Sequence, residues 1–389
     1  MPKRLSTFIL TILFACFSMQ VMAQTVVVPG TVTLPQDTVI KNQLIASLNG
    51  FLQQRSGPNK DNKYVLKGDL LSTSALLDEM KGVERSSRFN DTGFYKCHLA
   101  NVVKLDDARY LLQLHFIGIM EGTPILRASY RLMAKYSNGQ FYFSSPLVQN
   151  TINWKTAKLM NVTFHFKEML NRADAELYYK TVSYYDRKLK VPLSPIGFYY
   201  ADNFPEAQQL VGIDYKSDFN GQRANNLSAR ENNESLVVSG GAAYDHHFDP
   251  HDLWHERLRV VMNADIINRP VDEGCAYLYG GSWGYTWAEV LTKFKQYATA
   301  NPQADWFTLY TGSVKFATDD KPLYVAYALN ALIAQKMERE KGFSVVKGLL
   351  GCGKRETGDE NYFAALEKVT GITKANFNTA MWDLVKAAK

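Results

Sequence analysis

The spacing of apolar positions changes period along this chain, and the changes mark out its elements. From Lys41 to Gln54, Leu44, Ile45, Leu48, Phe51 and Leu52 recur at helical spacing, and Leu70 to Met80 carries a second, shorter helical pattern. A period of two then takes over in 95–103, 110–120, 125–136 and 140–147, segments rich in β-branched and aromatic residues. Turn signals separate them: Asp106-Asp107, Glu121-Gly122-Thr123-Pro124 and Ser137-Asn138-Gly139. After a break near 147–160, Val162 to Phe166 reads as a strand, Ala173 to Leu189 as a Tyr-rich amphipathic helix, and Pro192 to Tyr200 as a strand. An Asn-rich polar stretch from Ser217 to Glu234 leads into a short strand, Ser235 to Ser239. Beyond Asp249 the helical period dominates, in 287–297, 324–340, 344–350, 362–369 and 374–388. The pattern predicts an α+β chain of two domains. Residues 24–155 form a helix pair plus an antiparallel sheet, and 160–389 a small mixed sheet with a mainly helical second lobe.

The first residues alter that picture by reading as an export signal. Lys3 and Arg4 form a positive start, Phe8 to Phe17 a short apolar run, and Val21-Met22-Ala23 a cleavage site, so residues 1–23 are expected to be removed. The run is too short and too interrupted for a transmembrane helix, and no other stretch qualifies. Lipidation at Cys16 is the weaker alternative, because Phe14 sits where such signals prefer a small residue. The expected location is outside the cytoplasm, periplasmic or secreted.

Composition fits a globular protein, with 46% apolar and 21% charged residues. The formal charge of +6 includes Lys3 and Arg4 and is spread without a dense basic run, which argues against nucleic acid or an anionic membrane as partner. Past the export segment only Cys97, Cys275 and Cys352 remain, too sparse for a disulfide scaffold. A Cys275–Cys352 bridge and three unpaired thiols both stay open.

Four of the seven histidines fall in the ten residues 246–255. Asp249-Pro250 is a strong helix start, with a capping carboxylate and proline at the first helical position. In that helix His251 and His255 are four residues apart and project from one face, a spacing that lets two imidazoles reach one zinc ion. A third donor follows. Glu273, on the next helical segment after the turn Asn268-Arg269-Pro270, can complete a His₂Glu site with one position left for water.

The segment His251-Asp252-Leu253-Trp254-His255 resembles the H-E-x-x-H helix of the gluzincin zinc metallopeptidases, with aspartate in place of glutamate. Asp272-Glu273-Gly274-Cys275-Ala276 is similar to the segment that supplies the third ligand in aminopeptidase-type gluzincins, one residue closer here. Residues 160–389 also resemble the bacterial peptidase-MA-like group in the order of their elements, including Pro195-Ile196-Gly197-Phe198-Tyr199, Gly221, Lys341-Gly342 and the tail from Phe363 to Ile372. The 24–155 pattern resembles the cystatin-like or nuclear-transport-factor-2-like cone, whose concave sheet could hold a ligand or serve structure alone.

The gluzincin resemblance implies Zn²⁺ held by His251, His255 and Glu273, a peptide or protein substrate, and Asp252 as the general base for the attacking water. Asp252 is one methylene shorter than the usual glutamate and lies in the first helical turn, so a helix-start carboxylate is its other reading. The resemblance also implies an oxyanion-stabilising tyrosine, for which Tyr324, with Tyr327 beside it, is the nominee. Asp272 either orients a ligand histidine or starts its helix. His246 and His247 either extend the site or are solvated, and Glu256 is expected to face solvent. The competing function is a catalytically inactive gluzincin-like protein that binds peptide, glycan or a partner protein.

Overall fold

The computed structural model describes residues 25–218, 226–241, 243, 248–317 and 320–388. The expected export segment, Gly221, His246 and His247 lie outside the described residues. The first elements are α1 (Thr38–Gln54), α2 (Leu70–Met80), β1 (Lys96–Lys104), β2 (Arg109–Met120), β3 (Thr123–Ser137), β4 (Gln140–Ser144) and the short α3 (Leu147–Asn150). Then come β5 (Lys155–Leu159), β6 (Val162–Phe166), α4 (Arg172–Leu189), β7 (Ile196–Tyr200), α5 (Phe204–Val211), β8 (Ile213–Lys216), β9 (Asn226–Glu231) and β10 (Glu234–Ser239). The remainder is helical: α6 (Pro250–Val261), α7 (Arg269–Gly280), α8 (Trp287–Ala300), α9 (Trp306–Thr311), α10 (Val325–Lys341), α11 (Phe343–Leu350), α12 (Glu360–Thr370) and α13 (Phe377–Ala387). The chain is mixed α+β, with one antiparallel and one mixed sheet. No helix among the described residues is long and apolar enough to cross a membrane.

Contacts divide the chain into two compact units, one of residues 1–152 and 205–232, the other of 153–204 and 233–389. In the first, β1 to β4 form an antiparallel meander. The period-two face Leu112, Leu114, Phe116 and the helical stripe Leu44, Leu48, Phe51, Leu52 are both buried, and Phe51 of α1 meets Phe143 of β4 with ring centroids 5.1 Å apart. Asp37 caps α1 by accepting from the Val39 and Ile40 amides. A single cut near 155–160 does not describe this unit, because 205–232 returns to it. β8 pairs antiparallel with β3, and ion pairs fix the register: Arg131–Asp214 at 2.7 Å and Lys216–Glu79 at 2.6 Å.

In the second unit β5 and β6 pair antiparallel, while β6–β7 and β7–β10 are parallel, which makes the sheet mixed. The helices pack beside it around one core that includes Tyr185, Trp254, Phe294, Trp306, Tyr310 and Tyr362. Gly274 lets α7 lie against α10. A Cβ there would come within 2.6 Å of the Asn330 Cβ and 2.8 Å of the Ala331 nitrogen. α6 is tied to α4 by a buried two-pronged ion pair, Arg257 Nε and Nη2 donating to Asp186 at 2.7 and 3.0 Å. Cys97, Cys275 and Cys352 are all free thiols, so the Cys275–Cys352 bridge does not form.

Candidate metal centre

Helix α6 starts as its sequence dictates. Asp249 accepts from the His251 amide at 2.8 Å, and Pro250 occupies the first turn, where its missing N–H costs nothing. One turn of helix then sets His251 above His255, and α7, running next to α6, brings up Glu273. The three donor atoms converge. His251 Nε2 lies 3.2 Å from His255 Nε2 and 3.3 Å from Glu273 Oε2, and His255 Nε2 lies 3.9 Å from the same oxygen. Tetrahedral nitrogen and oxygen ligands of a zinc-sized ion sit about 3.3–3.4 Å apart, so the donor set and its spacing fit a metal ion. His251, His255 and Glu273 form the group that could hold one.

The other nitrogen of each imidazole is already engaged, and this fixes which nitrogen is free. His251 Nδ1 donates to the Gly281 carbonyl at 2.7 Å, and His255 Nδ1 to Asp272 Oδ1 at 2.9 Å. Both Nε2 lone pairs are thereby aimed into the cluster, the arrangement metal-binding histidines require. Asp272 Oδ1 also accepts from the Trp254 indole at 3.1 Å, which anchors it, so Asp272 fixes the orientation of the His255 ring. Glu273 is held at its outer atom: Arg269 Nη2 lies 2.7 Å from Oε1, leaving Oε2 to face the histidines.

The electrostatics of the metal-free cluster reflect the crowding of these groups. Burial pulls the His251 pKa down, but the Glu273 carboxylate, the Gly281 carbonyl and the Asp249 charge outweigh it and raise the value. Burial pushes Glu273 up, and the two histidines with Arg269 more than reverse that, holding it below the ordinary carboxylate value.

Asp252 sits in the first turn of α6, exposed, one residue past the first histidine. Glu256 is one turn further along the same flank. It does not face solvent as expected: its side chain is half-buried, and burial followed by the Asp252 charge pushes its carboxyl up to about 7. Tyr324 is the N-cap residue of α10, half-buried, with its amide donating to the Tyr277 hydroxyl at 3.3 Å and its ring 5.1 Å from Tyr327. Tyr327 is half-buried, and burial followed by the Glu273 charge raises the pKa of its hydroxyl, with Arg269 opposing. Tyr277 lies 5.9 Å from the His251 ring.

Sequence reasoning missed two groups here. Arg269 stands four residues before Glu273 on the same helix, a spacing that was readable as a facing pair. Gly281 carried no signal, being 30 residues from the histidine it holds. Its φ of 77° and the close fit of Gly280, where a Cβ would come within 2.6 Å of the His251 nitrogen, bring the end of α7 onto the start of α6.

No protein-family model matches the chain, and a search of curated proteins finds no matching relative.

Proposed function

We propose that this chain is an exported zinc-dependent peptidase, built as a cystatin-like or nuclear-transport-factor-2-like domain followed by a gluzincin-like domain. The observation that carries the reading is the convergence of two histidine Nε2 atoms and Glu273 Oε2 within 3.2–3.9 Å, with both Nδ1 atoms locked elsewhere. The likeness of the His251–His255 and Asp272–Ala276 segments to gluzincin motifs supports the assignment to peptide hydrolysis.

When bound, zinc supplies a Lewis acid that lowers the pKa of water and polarises a carbonyl. The protein's own residues do the rest. His251, His255 and Glu273 hold the ion, and Asp272 and the Gly281 carbonyl keep the imidazoles in the ligating tautomer. Asp252, next to the first ligand, takes the proton from the attacking water and returns it to the leaving amine. Tyr324 or Tyr327 stabilises negative charge as it develops on the substrate oxygen.

The exposed first-turn position of Asp252 and its short side chain favour one second reading, in which the same domain binds peptide, glycan or a partner protein without turnover. Cleavage of a broad peptide library at equal zinc occupancy separates the two. Under the peptidase reading Asp252→Asn removes turnover by roughly 10²-fold or more while zinc stays bound, and Asp252→Glu keeps it. Turnover that survives Asp252→Asn eliminates Asp252 as the base.

A further inference from the structure

We propose that Arg269 selects the substrate of this centre by pairing with a substrate carboxylate placed next to the scissile bond, an assignment that rests on the peptidase reading above. Its guanidinium is one carboxyl group away from the metal-facing oxygen: Nη2 lies 2.7 Å from Glu273 Oε1, while Oε2 of the same residue meets His251 at 3.3 Å. The Arg269 side chain is nevertheless 72% exposed, whereas Glu273 is 8% exposed. Arg269 is thus an exposed cation bonded directly to a buried member of the donor cluster.

Tyr327 stands close enough for its hydroxyl to feel both the Glu273 and the Arg269 charge, and its ring lies 5.6 Å from Tyr277 and 5.1 Å from Tyr324. A planar guanidinium carries five N–H donors, so pairing with Glu273 through Nη2 leaves donors for a second, bidentate carboxylate. A metal ion on Glu273 Oε2 would draw on the same carboxylate charge, so the positive charge on Arg269 would be offset less fully by its neighbour.

The chemistry favoured is a peptide with a carboxylate beside the bond to be cut, supplied either by a free C-terminus or by an Asp or Glu side chain. Holding that carboxylate on Arg269 would set the preceding carbonyl at the metal position and restrict cleavage to that bond.

The test uses the full mature chain loaded with zinc, its metal content measured first. Calorimetry compares a small hydroxamate bearing a free carboxylate, N-hydroxysuccinamic acid, with its neutral carboxamide analogue. Wild type should bind the acid roughly tenfold or more tightly, the loss expected for one charge-assisted pair. Compared at equal, measured zinc occupancy, Arg269→Gln should erase that difference, and Arg269→Lys, which keeps a cation beside Glu273, should restore part of it. Peptides ending in a free acid, in an amide, or in an amidated Asp or Glu then identify which carboxylate is read, by cleavage of one and not the others. Zinc-loaded wild type that does not discriminate acid from amide overturns the assignment alone, as does a preference that persists in Arg269→Gln. Loss of zinc and of both probes together in Arg269→Gln shows a residue that only positions Glu273, and also overturns it. Wild type that takes up no zinc removes the metal reading and this assignment with it.

Discussion

His251 and His255 each give Nδ1 to a fixed oxygen and keep Nε2 for the cluster, and that division has a pH signature. In the metal-free protein His251 is raised above its ordinary 6.5, with burial opposing the shift and Glu273 chiefly driving it. A raised folded-state pKa contributes stability that is fully present below about 6.5 and is lost as pH rises through the folded value. Zinc has the opposite dependence, because it binds only the neutral imidazole and must displace that proton. The rise in melting temperature on adding zinc should therefore be small near pH 5.5 and grow as pH climbs past the folded His251 value. Scanning calorimetry with and without zinc across that range checks it, and a zinc effect that shrinks as pH rises would exclude His251 as a ligand.

At the level of elements, the site depends on how closely the end of α7 meets the start of α6. Gly280 is the tightest point, since a Cβ there falls within 2.6 Å of both the His251 nitrogen and the Pro250 carbonyl carbon, backbone atoms that cannot swing away. Tyr185 spans the same junction, its hydroxyl 3.1 Å from both the Pro250 and Tyr279 carbonyl oxygens. Gly280→Ala should destabilise the protein by about 1–3 kcal/mol, the usual cost of overpacking, and weaken zinc binding by shifting His251 against the Gly281 carbonyl. Urea unfolding and zinc titration read both effects. Unchanged stability and zinc affinity would mean the junction is looser than its distances imply.

Over the whole molecule, what could be read from the sequence followed from local period. The stripe Leu70–Met80 gives α2 its observed bounds, and the alternation in 110–120 and 125–136 gives β2 and β3 within two residues. The histidine pair and Glu273 were legible because helical spacing and a capped start are local signals, and the structure brings all three together. What was not legible depends on partners distant in sequence. β8 has four residues, of which only Ile213 is buried, so no alternation could reveal it. It forms because Arg131, 83 positions earlier, holds Asp214 and because β3 offers an edge. The same holds for α5, an eight-residue helix beginning at Phe204-Pro205 inside a stretch with no clear period. The predicted strand from Pro192 begins only at Ile196, since Pro192 and Pro195 have no N–H to give a ladder.

The most direct test of the account is the zinc content of the purified mature protein, measured by emission spectroscopy after supply of zinc and removal of loosely bound ion. His255→Ala and Glu273→Ala are measured beside the wild type. Three ligands with their second nitrogens and outer oxygen fixed should hold about one zinc per chain, and loss of any one ligand should leave too few to retain it. The account predicts near-stoichiometric zinc in the wild type and little in either variant. A wild type without metal, or variants that keep a full complement, would contradict it.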